Sequence, residues 1–224
     1  KEDRKRRHIK NPGKTLIYLA TEFCNMEKEM KIFKSIKLDT GYNYKGLIPD
    51  VISEEKLRLV LARFHNLQSL YDTYLSESDI ENADDRLKVL RGHISIIYHM
   101  IKSSTEFVHY YERHIEPREN AKFYKDLKPI KSDRFLEMTF SFFISYLRKY
   151  CSCATKLSLN VIKSYVEIGE VFVSIPEYRG FHVRPSTLIS KIVNYYGGNV
   201  VMALDDVEYD PKTPLELFRV NEKI

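Results

Sequence analysis

His182 and Arg184, two residues apart in Gly180-Phe181-His182-Val183-Arg184-Pro185-Ser186-Thr187, are the side chains best suited to phosphate chemistry in this sequence. Leu188, Ile189, Ile192 and Val193 follow at helical spacing. Proline suits the first turn of a helix, where its missing N–H costs nothing. Pro185 therefore predicts that His182 stands just ahead of a helix N-terminus. Unpaired backbone N–H groups and the positive end of the helix dipole make that position receptive to anions. A histidine there is disfavoured as a cation but well placed to carry a phosphoryl group, and Arg184 supplies a planar cationic fork for phosphate oxygens. An ordinary capping histidine fits the same residues equally well.

Three other motifs carry less. Gly13-Lys14-Thr15 resembles the end of a phosphate-binding loop, but the glycine required five residues earlier is His8 and no apolar strand precedes it. Glu106 and His109 have the spacing of a di-iron ligand pair, with His99 and Glu112 nearby. Such sites need two of these motifs and further carboxylates from two other helices, so core or surface histidines are the better reading. Cys151-Ser152-Cys153 has neither redox nor zinc spacing. No metal site is expected, and three cysteines, an odd number, fit a reducing compartment better than a disulfide framework.

The elements that must position these residues divide near residue 168. From Thr15 to about Leu38, Leu16, Leu19, Phe23, Met26, Met30 and Phe33 recur every three or four residues, one face of a helix. Residues 39–50 read as a loop. Ser53 followed by Glu54 and Glu55 marks a capped helix start, continued by Leu57, Val60, Leu61, Phe64, Leu67, Leu70, Tyr71 and Tyr74. Asp84 or Asp85 opens a third helix through Leu87, Leu90, Ile94, Ile97, Ile101 and Val108 to about Ile115. Pro117 and Pro129 frame a polar connection, and Ser132-Asp133 opens a fourth helix to about Tyr150. The expected domains are a basic segment at 1–14, an α-helical bundle at 15–168 and a mixed domain at 169–224, an α+β chain overall. In the last, Glu170 to Ile175 alternates like a strand, and Pro176 to Gly180 turns the chain.

Composition narrows the function classes. Of the 224 residues, 43% are apolar and 30% charged, enough for a core and a charged surface. The densest apolar run, Phe135 to Leu147, contains Glu137 and falls short of the roughly 20 residues a membrane helix needs. The net charge of +5 equals that of residues 1–14 alone, so the remainder is neutral. Arg4-Lys5-Arg6-Arg7 could attract phosphate backbones or anionic lipid. A nucleic-acid partner is not expected, because no basic surface continues beyond this segment.

The stretch from Gly180 to Thr187 resembles the active-site motif of HPr, the histidine phosphocarrier of the bacterial phosphotransferase system. The resemblance continues through a helix to Tyr196, a strand at Asn199–Leu204, a turn at Asp205-Asp206, a strand at Val207–Tyr209 and a second helix from Pro214. It covers about a quarter of the chain. It implies an open-faced β-sandwich, an antiparallel sheet with helices on one face. It also implies that His182 takes phosphate on Nδ1 from an enzyme I-like donor, that Arg184 stabilises the phosphate, and that the start of the second helix, Leu215 and Phe218, docks partners. No cofactor is implied. Thr213 falls where Gram-positive members carry a regulatory serine, although Pro214 after it also suits a plain N-cap. Phe181, Val183, Pro214 and Glu216 depart from the residues usual in the family.

In the family the last strand lies between the first two and a final helix covers it; residues 169–224 contain neither, so further residues of a full protein, or another segment, are expected to fill the gap. The leading expectation is a bacterial, cytoplasmic phosphoacceptor whose helical domain has a regulatory role. It would act with a phosphodonor and with a phosphoacceptor or regulatory protein. The alternative is a scaffold that keeps the fold without phosphotransfer. Whether the chain self-associates as a homo-oligomer is left open.

Overall fold

The computed structural model describes residues 12–30, 33, 36, 43–116, 131–167, 169–175, 179–221 and 223. Most of the expected basic segment, the loop at residues 39–42 and the connection from Pro117 to Pro129 lie outside them. The described residues fall into two compact units, one ending at Tyr165 and the other beginning at Val166.

The first unit is helical. Helix α1 (Pro12–Glu29) begins ahead of the expected Thr15, so residues 12–14 are helical. A 3-10 turn spans Tyr44–Leu47. Helix α2 (Glu54–Tyr74) starts as its sequence predicts, with the Ser53 hydroxyl accepting from Lys56 N at 3.2 Å. A short helix α3 (Asp79–Ala83) intervenes before α4 (Asp85–Tyr110), which Asp84 caps by accepting from Arg86 N at 3.0 Å. Helix α4 runs into a π-helical turn, Tyr111–Ile115. Helix α5 spans Ser132–Tyr165.

Each long helix packs against two others: α1 against α2 and α5, and α4 against α2 and α5. The apolar faces meet in one core that includes Leu16, Phe23, Phe64, Tyr71, Ile94, Ile97 and Leu136. The fourth helix outruns its expected end at Tyr150 because Cys151, Ala154, Ser158 and Val161 carry the buried face onward. Two of its hydroxyls bond within the helix: Thr155 Oγ1 donates to Cys151 O at 2.9 Å and Ser164 Oγ to Asn160 O at 3.0 Å. Arg148 reaches from α5 to the carbonyls of Phe33 and Ile36. Among the described residues no helix is long and apolar enough to cross a membrane.

The second unit holds helix α6 (Val183–Tyr196), strands β1 (Met202–Leu204) and β2 (Val207–Tyr209), and helix α7 (Pro214–Asn221). The strands pair antiparallel, Met202 with Tyr209 and Leu204 with Val207. Asp205 and Asp206 join them at φ 49° and 61°. Two successive positive φ values are what a two-residue hairpin turn of matching twist requires. The sheet has these two strands only among the described residues.

The strand expected at residues 170–175 does not form. Residues 169–175 make no ladder, and Val171, Phe172 and Val173 are 82%, 97% and 77% exposed. Alternation is local, but a strand exists only where a neighbour accepts its N–H groups and donates to its carbonyls. The strand expected from Asn199 likewise begins only at Met202. Its partner ends at Tyr209, and Pro211, which has no N–H, turns the chain into α7. The observed class is thus α+β, mostly helical, with a small antiparallel hairpin in place of a wider sheet. Phe181, Tyr209, Leu217 and Val220 form the unit's core, with Ile175, Ile189, Met202 and Leu204 packed at its edge. Full burial of one such side chain is worth about 1.5–3 kcal/mol, so this unit has a thin margin for lost contacts.

Candidate functional site

The His182 site is built on α6 and held by α7. His182 is the N-cap of α6, with extended backbone, and its side chain makes no capping hydrogen bond. Val183 and Arg184 therefore open the helix with N–H groups that have no intrahelical acceptor, and Pro185 brings none. Ser186 is the first to close the ladder, its N–H donating to His182 O at 3.2 Å. His182 is half-buried, while Val183 and Arg184 are exposed on the same turn. Among the described residues Arg184 makes no hydrogen bond or ion pair, so its guanidinium is available to an incoming anion.

The turn ahead of His182 is tightly wound. Arg179 and Gly180 both have positive φ, 59° and 52°. Gly180 O accepts from His182 N at 3.0 Å and lies 3.4 Å from His182 Nδ1. Phe181, next to the histidine, is buried in the unit's core and anchors the turn. Its carbonyl accepts from the buried Ser186 Oγ at 2.9 Å, and its N–H donates to Asn221 Oδ1 at 2.6 Å.

A polar seam along α6 fixes the helix beneath this turn. Ser186, Ser190 and Asn194 stand four residues apart on one face. Ser190 Oγ donates to Pro211 O at 2.9 Å, and Asn194 Nδ2 donates to Lys212 O at 2.9 Å. The seam ties α6 to the loop that starts α7. These three side chains are legible as small polar residues recurring at helical spacing, but the partners they hold are not.

The other expected site residues lie on α7. Thr213 is exposed and immediately precedes the helix, its carbonyl accepting from Glu216 N at 3.1 Å. Pro214 is the first helical residue. Among the described residues the Thr213 hydroxyl makes no hydrogen bond, so the expected side-chain cap is absent. Leu215 is 69% exposed and Phe218 half-buried.

In the helical unit, the spaced residues of α4 go separate ways. His109 Nδ1 lies 2.8 Å from Glu54 Oε2, at the start of α2, and Glu112 Oε1 accepts from Glu54 N at 3.2 Å. Hydrogen bonds from His109 and Arg58 hold the Glu54 carboxyl below the usual carboxylate range. Glu106 and His99 line a surface groove with Lys102, Phe107, Tyr110 and Phe135. Among the described residues no cluster of three or more His, Cys, Asp or Glu could hold a metal ion. Cys24 and Cys151 are buried and Cys153 is exposed, all as free thiols. Burial pushes the Cys24 thiol up to about 11.

The arrangement around His182 therefore offers a partly exposed imidazole and two backbone donors at the helix start, with an exposed guanidinium two residues on. Comparison with protein-family models, with curated proteins and with solved structures finds no match to this chain.

Proposed function

We propose that the second unit is an HPr-like phosphoacceptor that carries a phosphoryl group on His182. The observation that carries this reading is a half-buried histidine at the N-cap of a 14-residue helix, without a side-chain cap bond, and with the exposed Arg184 two residues on. The helix N-terminus favours the negative charge a phosphoryl group brings, and the guanidinium pairs with its oxygens. The separation of 3.4 Å between Nδ1 and Gly180 O is long for a hydrogen bond. The Gly180 carbonyl can only accept, so phosphoryl transfer to Nδ1 requires the ring proton on Nε2 and the Nδ1 lone pair turned from that carbonyl to the donor.

In the transfer, that lone pair attacks the phosphorus of the donor's phosphohistidine. A new N–P bond forms at His182, and the donor's N–P bond breaks with its electron pair remaining on the donor imidazole. The donor is an enzyme I-like protein of the bacterial cytoplasm. The exposed Leu215 and the half-buried Phe218 form part of the surface that meets donor and acceptor, and the helical unit serves regulation. The HPr-like sandwich is supported by the order helix, hairpin, helix after the histidine. Residues 170–175, where its first strand would lie, make no ladder.

The test is phosphorylation by enzyme I and phosphoenolpyruvate, comparing the protein with His182→Ala, with an ordinary HPr as positive control. An acid-labile label present in the protein and lost in the variant supports the reading. No label on a folded protein, with the control labelled, overturns it in favour of a scaffold.

A further inference from the structure

The groove along α4, lined also by Phe135 of α5, brings aromatic rings and charged side chains together. It holds about 510 Å³, a volume within the range of small-molecule sites. His99, Lys102, Ser103, Glu106, Phe107 and Tyr110 recur at three- and four-residue spacing, so they share one face of the helix. The buried face of α4 runs instead through Ile97, Ile101, Thr105 and Val108. Core packing therefore does not account for the groove residues.

The apolar part of the groove is aromatic. The Phe107 and Phe135 rings lie 5.7 Å apart at 59°, and those of Tyr110 and Phe135 lie 5.9 Å apart at 51°. Tilted contacts of this kind are an arrangement that aromatic rings prefer. Phe107 remains 38% exposed and Tyr110 42%, so the cluster has ring surface left for one more aromatic group.

The charged part is a cation and an anion one helical turn apart. Lys102 and Glu106 are exposed, and among the described residues neither makes a hydrogen bond or ion pair. Lysine ahead of glutamate is the weaker order for two residues four apart on a helix, which leaves both charges to a ligand. A purely anionic ligand would meet Glu106 as well as Lys102, and a purely cationic one would meet Lys102 as well as Glu106. A molecule with both charges satisfies both residues. An aromatic residue inside a peptide has the ring and neither charge.

We propose that this groove binds a free aromatic α-amino acid. Its ring joins Phe107, Tyr110 and Phe135, its carboxylate pairs with Lys102, and its ammonium pairs with Glu106. The site is independent of the chemistry at His182.

The experiment titrates the full chain with L-phenylalanine and follows the ring and amide NMR signals of Phe107, Tyr110 and Phe135. Saturable shifts are expected, with a dissociation constant on the order of 1 mM for an open site and a ligand of so few atoms. Phenethylamine lacks the carboxylate and phenylacetate lacks the ammonium. Each should bind about two- to fivefold more weakly, the worth of one exposed ion pair. L-Alanine keeps both charges without the ring and should give no saturation. Lys102→Gln should remove the preference for L-phenylalanine over phenethylamine, and Glu106→Gln should remove the preference over phenylacetate. Both side chains are exposed, so both variants keep the fold.

No saturable shift up to about 10 mM, well above the expected constant, overturns the proposal. So does binding of either single-charge analogue as tightly as L-phenylalanine, which would make the groove a plain cation or anion site. Preferences unchanged in Lys102→Gln and Glu106→Gln also overturn it, because the ligand's charges would then be met elsewhere.

Discussion

Gly180→Ala tests how closely the turn before His182 is fitted, and its cost can be worked from two separate causes. At φ 52° an alanine occupies the left-handed region, at about 1–2 kcal/mol. Its methyl group also meets Asn221 Oδ1 and must displace it, breaking the 2.6 Å bond from Phe181 N. Leaving a buried N–H without a partner costs about 1–3 kcal/mol. The sum, roughly 2–5 kcal/mol, is large for a unit whose core is Phe181, Tyr209, Leu217 and Val220.

The two causes separate in a double-mutant cycle with Asn221→Ala. That substitution alone removes the bond, at about 1–3 kcal/mol. In the double variant the methyl has nothing to displace, and the bond is lost only once. The double variant should therefore be about 1–3 kcal/mol more stable than the two single effects predict together. Amide hydrogen exchange at Leu217 and Val220, read by NMR, reports opening of this unit without interference from the larger helical one. Additivity within about 0.5 kcal/mol would mean that the methyl and the amide do not compete for the same space, and would refute the close fit of Asn221 against Gly180.

Three further outcomes follow from the structure. Glu81, buried in α3, accepts from Tyr71 Oη at 3.2 Å and Glu77 N at 2.7 Å and pairs with Arg91 at 3.4 Å. Glu81→Ala should cost about 2–4 kcal/mol in urea unfolding followed by far-UV circular dichroism, and a loss below about 0.5 kcal/mol would contradict the network. Glu54 faces His109, Arg58, Arg113 and Glu112, and its carboxyl is held low by His109 and Arg58. A depressed carboxyl stabilises the fold above its unfolded value of about 4.3 and ceases to do so as pH falls through its lower folded value. The parent should accordingly melt higher than Glu54→Gln at pH 7, and the difference should close in the acid limb; a gap that persists there would be wrong for this carboxylate. Finally, Phe172→Asp should change stability by less than about 0.5 kcal/mol in this chain, since the ring is 97% exposed. A larger loss, read by exchange at Leu217, would show that residues 170–175 pair with something.

What could be read in the residues, and what could not, follows the range of the forces involved. The starts of α2 and α4 are set by Ser53 and Asp84, whose side chains bond N–H groups only two or three residues away, and such contacts are written in adjacent letters. The apolar faces of α1, α2 and α4 are legible for a related reason: burial against any neighbour demands the same three-and-four spacing. His182 belongs to this class, because Pro185 three residues on marks the helix start that makes the histidine an N-cap.

Other features depend on what lies across the fold. The alternation in residues 170–175 is real, yet a strand is a pairing, and the alternation is silent about the partner. Helix α3 is short and polar; Ser78 caps it locally, and the Glu81 carboxylate anchors it to Tyr71 and Arg91, ten residues away on either side. A buried carboxylate looks in the sequence like any other surface acid. Asn221 is the extreme case. Nothing near it in the chain distinguishes it from a solvated asparagine at the end of a helix, and its importance exists only because Gly180, 41 residues earlier, lacks a Cβ. The two positions are one device. The glycine makes room for the amide, and the amide fixes the peptide that leads into His182.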